Sequence, residues 1–447
     1  MLGVALVAVG AGLRIALALV NAESNDDHLS VIAVIAREDR LPRASELDQA
    51  YHPKLYHATV AFLWELGPWA SESSMLRTAQ LVSCAAGILT VLLVHAFLRR
   101  QQLSERTRLL ALSLVGLNPK LIGISAQATN DSLVVLFGTL CLFLAWAFLR
   151  SGSTKTFALV AVATVLAALT KGSGLVLFVA VVAAFAAAAF AGPSPAPIPR
   201  RRLALMTGAF AVGFVVLFAA VGPYRDNYED SGGRVLGINV PPDPFPPLVD
   251  GSRVRRPGTT SIVATYLTFR FVDLVRHPVL PGGDESYPEH RTSLWSQLYG
   301  RLGSAHFDQW PPSWQDSGLA TRTVVRGALF LGLLPAALLV AGLVVAVRRA
   351  AATIRARSAA AGLPDRSALL FSIAFLAFVA FIIVYTLRYR DFASMKVEYL
   401  FPAALAAVHL FTLGAESVRR ASLVVGVIAA LVVVYAIDVG LLVWRLA

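Results

Sequence analysis

The sequence predicts an all-α, polytopic membrane protein, and three observations carry that reading. Of 447 residues, 57% are hydrophobic and 15% charged, with a mean hydropathy of +0.66; a soluble fold cannot conceal that much apolar surface. The apolar residues gather in runs of roughly 18 to 25, long enough for helices to cross a hydrocarbon core and too long for barrel strands. The basic residues sit in short runs between those segments, so the net charge of +12 is a topology signal and not a nucleic-acid footprint.

In chain order, Leu2 to Val20 is the first apolar run; it carries Arg14 and has neither a basic leader nor a clean cleavage site, which reads as an uncleaved anchor. Spans follow at Leu76–Leu98, stopped by Arg99 and Arg100, at Leu109–Gly123 and at Leu133–Leu149. Phe157–Thr170 and Gly174–Ala191 are joined tightly at Lys171, Gly172 and Ser173, and a proline-rich stretch ends the second. Leu203–Val221 precedes a long hydrophilic loop, 222–322, and Val324–Val347, Leu369–Leu387, Tyr399–Leu413 and Leu423–Trp444 complete about eleven spans in a single membrane domain, 1–447. Cys84 and Cys141 each lie inside an apolar run and read as buried thiols.

With the amino terminus inside, the arginine-rich loops fall on the inner face. The first loop, 21–75, the turn from Asn118 to Asp131, Lys171, the long loop and Arg388 to Lys396 then share the outer one. Every polar cluster of chemical interest lies on one side.

The first loop is the richest of these. Asp26 and Asp27 stand about five residues beyond the first span, where a carboxylate can serve as a general base, deprotonating an acceptor hydroxyl in an inverting sugar transfer. The other reading is a helix cap before the apolar run that opens at Leu29. Leu29 to Arg37 is patterned as a short helix along the interface. His28, His52, Tyr56 and His57 are candidates for hydrogen bonds to substrate or backbone; Asp27, His28 and His52 are also a candidate divalent-metal set, with no cofactor certain. Lys54 offers a compact cation to a lipid phosphate.

Asn130 and Asp131 open a span, with Asp131 either a cap or a second site carboxylate. Lys171 at membrane depth calls for a phosphate or a carboxylate partner, or else snorkels to the surface. Arg388, Arg390, Asp391, Lys396, Glu398 and Tyr399 form a last cluster suited to a phosphate leaving group, or to a plain contact between Lys396 and Glu398. In the long loop a stiff proline-rich piece, 241–248, precedes Trp295, Tyr299, His306, Phe307, Trp310 and Trp314, aromatics that stack on sugars or gather at the membrane interface. No phosphate-cradling glycine loop and no zinc-protease pattern appears.

The set NDDH at 25–28, YHPKLYH at 51–57, the Asn118-Pro119 turn before Asn130-Asp131, ALTKGSG around Lys171 and KVEYLFPA at 396–403 resembles the bacterial GT-C glycosyltransferases, in particular the protein O-mannosyltransferase and aminoarabinose lipid A transferase superfamily. The resemblance covers about Met1 to Ala407. It implies a GT-C bundle in which one of Asp26 and Asp27 is the essential first-loop acid, Asp131 a second acid, and Lys54, Lys171 and Lys396 meet a polyprenyl phosphate, with Arg388 or Arg390 beside them. The family usually reads Asp-Glu and Pro-Pro-Leu where this chain has Asp-Asp-His and Pro-Lys-Leu.

The expectation is therefore a multi-pass plasma (inner) membrane enzyme with an extracytoplasmic site. It would move a hexosyl or pentosyl group from a polyprenyl-phosphate donor to a glycan, lipid or protein acceptor, with membrane lipid as its surroundings and no nucleic-acid partner. A lipid-linked glycan polymerase or ligase is the nearest alternative; a transporter or flippase would tend to show internal repeats and mid-membrane charges, whereas no repeat is seen here and the charges collect at one edge.

Overall fold

The computed structural model describes residues 1–24, 26–47, 49–67, 71–190, 198–220, 222–230, 235, 261–279, 289–307, 311–355, 366–388, 394–418 and 420–447. Among these every regular element is a helix. After α1 (Leu2–Val20), the first loop folds into α2 (His28–Glu38) and α3 (Leu55–Glu65). The next helices are α4 (Glu72–Arg100), opened by a capping box between Ser71 and Ser74, α5 (Glu105–Gly116) and α6 (Pro119–Ser125). α7 (Asp131–Ser151), α8 (Thr154–Thr170), α9 (Gly174–Phe190) and α10 (Arg200–Ala220) follow, and the long loop holds α11 (Pro223–Asp230), α12 (Ile262–Tyr266), α13 (Phe271–Arg276) and α14 (Leu294–Gly303). The last five are α15 (Leu319–Leu331), α16 (Leu333–Arg355), α17 (Arg366–Arg388), α18 (Ala404–Glu416), entered through a 3₁₀ turn at Val397–Ala403, and α19 (Ala421–Leu446).

By length and composition eight spans among the described residues can cross a membrane, or nine if the bent pair α5–α6 is one. α8 and α9 are apolar but 17 residues each. Every apolar run expected from the sequence coincides with one of these helices, and α15 and α16 together form one of them. The fold is a polytopic helical bundle.

The third span is not straight. α5 and α6 meet at 47°, because Pro119 cannot continue the hydrogen-bond ladder and Asn118 caps the new helix by accepting from the Leu121 amide at 3.0 Å. The break frees carbonyls at the end of α5 in an apolar surrounding. Arg14 of α1, only 1% exposed, takes them: one guanidinium nitrogen donates to Gly116 O at 2.6 Å and to Gly10 O at 2.9 Å. The charge buried in the first span is thus matched by backbone at the end of a helix, where a cation is favoured.

α16 and α18 cross at backbone contact. A Cβ on Gly342 would collide with the carbonyl of Leu410, and one on Gly414 with that of Leu338, so the small residues set the approach as they do in membrane helix pairs. Gly414→Leu is expected to lower the unfolding temperature in detergent, with at least about 1–3 kcal/mol lost to overpacking. Gly12→Leu, where an added Cβ meets nothing, is expected to leave that temperature unchanged.

The bundle has two chemically distinct ends. At one, Glu416 of α18 accepts from the Ser104 hydroxyl at 2.8 Å, and Arg100 and Arg150 lie over Phe143 and Trp146. At the other, the end of α1, the first loop, α6, the start of α7, the end of α8 and the 3₁₀ turn come together.

Candidate functional site

Asn21, fully buried where α1 stops, holds the first loop in place. Its amide donates to Ala126 O at 2.9 Å, its carbonyl accepts from Gln80 at 2.9 Å, and its side-chain oxygen accepts from the Trp314 indole at 3.3 Å. Three separate segments are thus pinned to the start of the loop that carries the acidic pair.

Asp26 is half-buried and Asp27 exposed. Asp27 occupies the cap position of α2, yet it caps no backbone amide; it accepts from the Ser30 hydroxyl instead. His28 turns inward, 1% exposed, with Nδ1 2.9 Å from His57 Nε2. The His52 ring lies 4.0 Å from that of Tyr51 and 5.9 Å from that of His28. Burial pushes His28 down to about 4, against the opposing pull of Asp26, while Lys171 adds to the lowering. Burial also holds His52 and His57 well below the ordinary imidazole range.

Their sign makes a prediction. Because the unfolded chain binds protons that the folded imidazoles refuse, stability falls as pH drops from the ordinary histidine value of 6.5 toward about 4. Each buried ring contributes up to about 1.4 kcal/mol per pH unit in that window. Thermal unfolding at pH 7 and pH 5 is expected to show a lower midpoint at pH 5, and His28→Phe to shrink the difference.

Tyr56 and His57 are fully enclosed. The Tyr56 hydroxyl is held by Ala79 O at 3.0 Å and by Ser83 at 3.2 Å, so it fastens α3 to α4 from within. The Lys54 ammonium donates to the carbonyls of Ala50 and of His52, the latter at 2.8 Å. Burial lowers it to about 8, against the pull of Asp226 and Glu46.

Across from the first loop, Asp131 and Lys171 form an ion pair at 2.7 Å, their side chains 15% and 13% exposed. Thr129 donates to the other oxygen of Asp131 at 3.0 Å, and Asn130 donates to Thr170 O at 3.3 Å. The second bond joins the start of α7 to the end of α8 and thereby brings acid to base. Of the readings open for Lys171, the carboxylate partner is the one observed.

Lys171 also lies 5.9 Å from the Tyr399 ring, and the charges of Lys171, Lys396 and His28 all act on or beside Asp131. Asp131, Lys171, Asn130 and Tyr399 are thus joined by direct contacts, and Asp26, His28, His52 and Lys396 lie close enough to act electrostatically on members of this group or on one another. Arg388 ends α17, and its side chain lies outside the described residues, as do Arg390, Asp391, Trp310 and the stretch 241–248. Among the described residues no group of three or more His, Cys, Asp or Glu is arranged to hold a metal; Asp27 and His28 turn toward different partners.

The structure gives one of the sequence's candidates a different partner and adds two basic residues, Lys120 and Arg301, to its surroundings. Glu398, viewed from the sequence as a neighbour for Lys396, is instead paired with Lys120 at 2.9 Å, the side chains 11% and 10% exposed. Arg301 of α14, 3% exposed, and Lys396 act on the same carboxylate. Next to this cluster, an apolar cavity of about 230 Å³ runs between α5, α14, α15, α16, α18 and α19; Asn118, Leu121, Leu302, Val397, Phe401 and Tyr435 are on its wall.

With this geometry in view, residues 54–219 match the family of dolichyl-phosphate-mannose-protein mannosyltransferases. That match covers little more than a third of the chain. The matched segment runs from Lys54 into α10 and includes Lys120, Asp131 and Lys171. No curated protein gives a significant match. Among solved structures, the chain is similar to ArnT from Cupriavidus metallidurans bound to undecaprenyl phosphate, at 14% identity and a TM-score of 0.47, covering 93% of this chain and 60% of that one. The chain thus spans about three fifths of that protein's length.

Proposed function

We propose that this protein is a GT-C-type membrane glycosyltransferase that takes a hexosyl or pentosyl group from a polyprenyl-phosphate donor and passes it to an acceptor on the extracytoplasmic face of the plasma membrane. One observation carries the reading. Acids and bases from segments more than 350 residues apart in sequence, Asp26 to Lys396, gather at one end of the bundle beside an apolar cavity.

The chemistry follows from the charges. A first-loop carboxylate removes the proton of the acceptor hydroxyl while the sugar–phosphate bond breaks on the opposite face of an oxocarbenium-like centre, giving inversion. Lys171 and Lys396 stabilise the departing phosphate, with Asp131 holding Lys171 in position. The prenyl tail takes the apolar cavity, and the acceptor, whether glycan, lipid or protein, approaches from the exposed side of Asp27.

The test is purified chain in nanodiscs with labelled polyprenyl-phosphate sugars. Transfer that stops when Asp26 and Asp27 are both changed to asparagine supports the proposal. Full transfer by that doubly substituted chain, or flux of the lipid across proteoliposomes without transfer, overturns it.

A further inference from the structure

We propose that α12 and α13 form an interfacial foot, a pair of short helices in the long loop that sinks its apolar side chains into the lipid leaflet at the site end of the bundle. The partner is a lipid surface, with acyl chains against the apolar groups and headgroups above them. Nothing in this depends on the transferase reading.

The foot presents large apolar groups outward from a rigid mounting. Ile262, Val263, Leu267, Phe269 and Val272 are between 46% and 78% exposed. Their neighbours point the other way. Leu274 is fully buried with Val325 and Leu329 of α15, Thr265 is fully buried, and the Tyr266 hydroxyl meets that of Thr386 on α17 at 3.1 Å. One exposed leucine is ordinary, but five large apolar groups on one short stretch of a hydrophilic loop mark a contact surface.

Helix length says what covers that surface. Thr386 lies about 20 residues from Arg366, at the far end of the same span. Phe330 of α15, its ring 5.3 Å from that of Phe271, lies about 18 residues before Arg348 in its own span. At 1.5 Å per residue both anchors stand roughly 30 Å from the arginines at the opposite end of the bundle, one hydrocarbon thickness away. The foot is therefore held at the boundary between hydrocarbon and headgroups. Val384 and Leu387 of α17 and Phe330 of α15 are themselves exposed, so the membrane-facing surfaces of two spans run on into it. Arg276, exposed on α13, offers the headgroups a cation on a long apolar stem. An amphipathic segment of this kind lies in the interface plane with its apolar face in the acyl boundary.

The foot also carries α14. The Trp295 indole donates to Tyr266 O at 2.7 Å, and the Arg270 amide donates to the Ser296 hydroxyl oxygen at 2.7 Å. α14 puts Tyr299 and Leu302 on the cavity wall, so the depth of the foot sets where that wall stands.

The experiment labels the full, unsubstituted chain in nanodiscs in two ways, and peptides are read by mass spectrometry. One label is a phospholipid with a photoactivated carbene precursor high on its acyl chain; the other is hydroxyl radical in the water. Peptides covering α12 and α13 are expected to take up at least about ten-fold more carbene than the charged first-loop stretch 38–46, where Glu38, Arg40 and Glu46 are solvent-exposed, and to be shielded from radicals. The double substitution Leu267→Asp, Val272→Asp is expected to cut carbene uptake by the foot at least about five-fold and to leave uptake by α17 unchanged.

Radical labelling of the foot as heavy as that of 38–46, without carbene uptake, overturns the proposal. So does a crosslink between two copies of the chain at α12 or α13 in place of a lipid adduct, or undiminished uptake by the doubly substituted chain. The first arm uses the native sequence, so it decides the matter even where the substituted chain fails to fold.

Discussion

Lys171→Met is expected to destabilise the chain by about 3–5 kcal/mol and to abolish transfer. The loss comes from the acid left behind. Asp131 and Lys171 are both largely shielded from solvent and meet at 2.7 Å, and removing one member of a buried pair leaves an uncompensated charge whose desolvation is no longer offset. Lys396 acts on Asp131 as well, which reduces the loss without replacing a direct ion pair. The double substitution Asp131→Leu, Lys171→Met removes both charges, and by the same argument it should recover most of the stability. Activity should not return with it if Lys171 is needed for the leaving phosphate. Thermal unfolding and transfer, measured on both chains, separate the two roles: an inactive but stable double variant supports the proposed chemistry, and an active one assigns the pair to structure alone.

Much of the fold was legible because lipid imposes length. A helix that crosses a hydrocarbon core must be apolar over most of its run, and the spans from Leu2 to Trp444 could be read on that basis. The bend at Asn118 was visible only as a turn. That α6 continues at 47° depends on Arg14, 102 residues away from Gly116, covering the carbonyls that the break exposes.

The site divides along the same line. Asp26, Asp131 and Lys171 stood out because an ionisable group beside a span requires a reason. The partner of Glu398 was hidden by proximity in the chain: Lys396 is two residues away, yet it precedes the 3₁₀ turn that carries Glu398, and the acid reaches Lys120 on α6 instead. Lys54 looked available from sequence; the carbonyls of Ala50 and His52 that engage its ammonium are brought there by loop geometry that no periodicity encodes.

Asp26→Asn is expected to lower transfer by about 10²–10⁴-fold, the range for loss of a general base, and Asp27→Asn by much less. The two acids are adjacent in sequence but differ in surroundings. Asp27 is exposed, holds the Ser30 hydroxyl and stands at the start of α2, whereas Asp26 is half-buried and is the first charge to act on His28, which in turn senses Asp131 and Lys171. A base must lie where the acceptor hydroxyl meets the sugar carbon, and Asp26 is the less exposed member of the pair and the one that acts more strongly on His28. Asparagine keeps the shape and removes the charge, so folding should be preserved and the rate loss should fall on kcat more than on KM. Equal losses from the two substitutions would assign the role to the pair, and a larger loss at Asp27 would move the acceptor to the exposed side of α2.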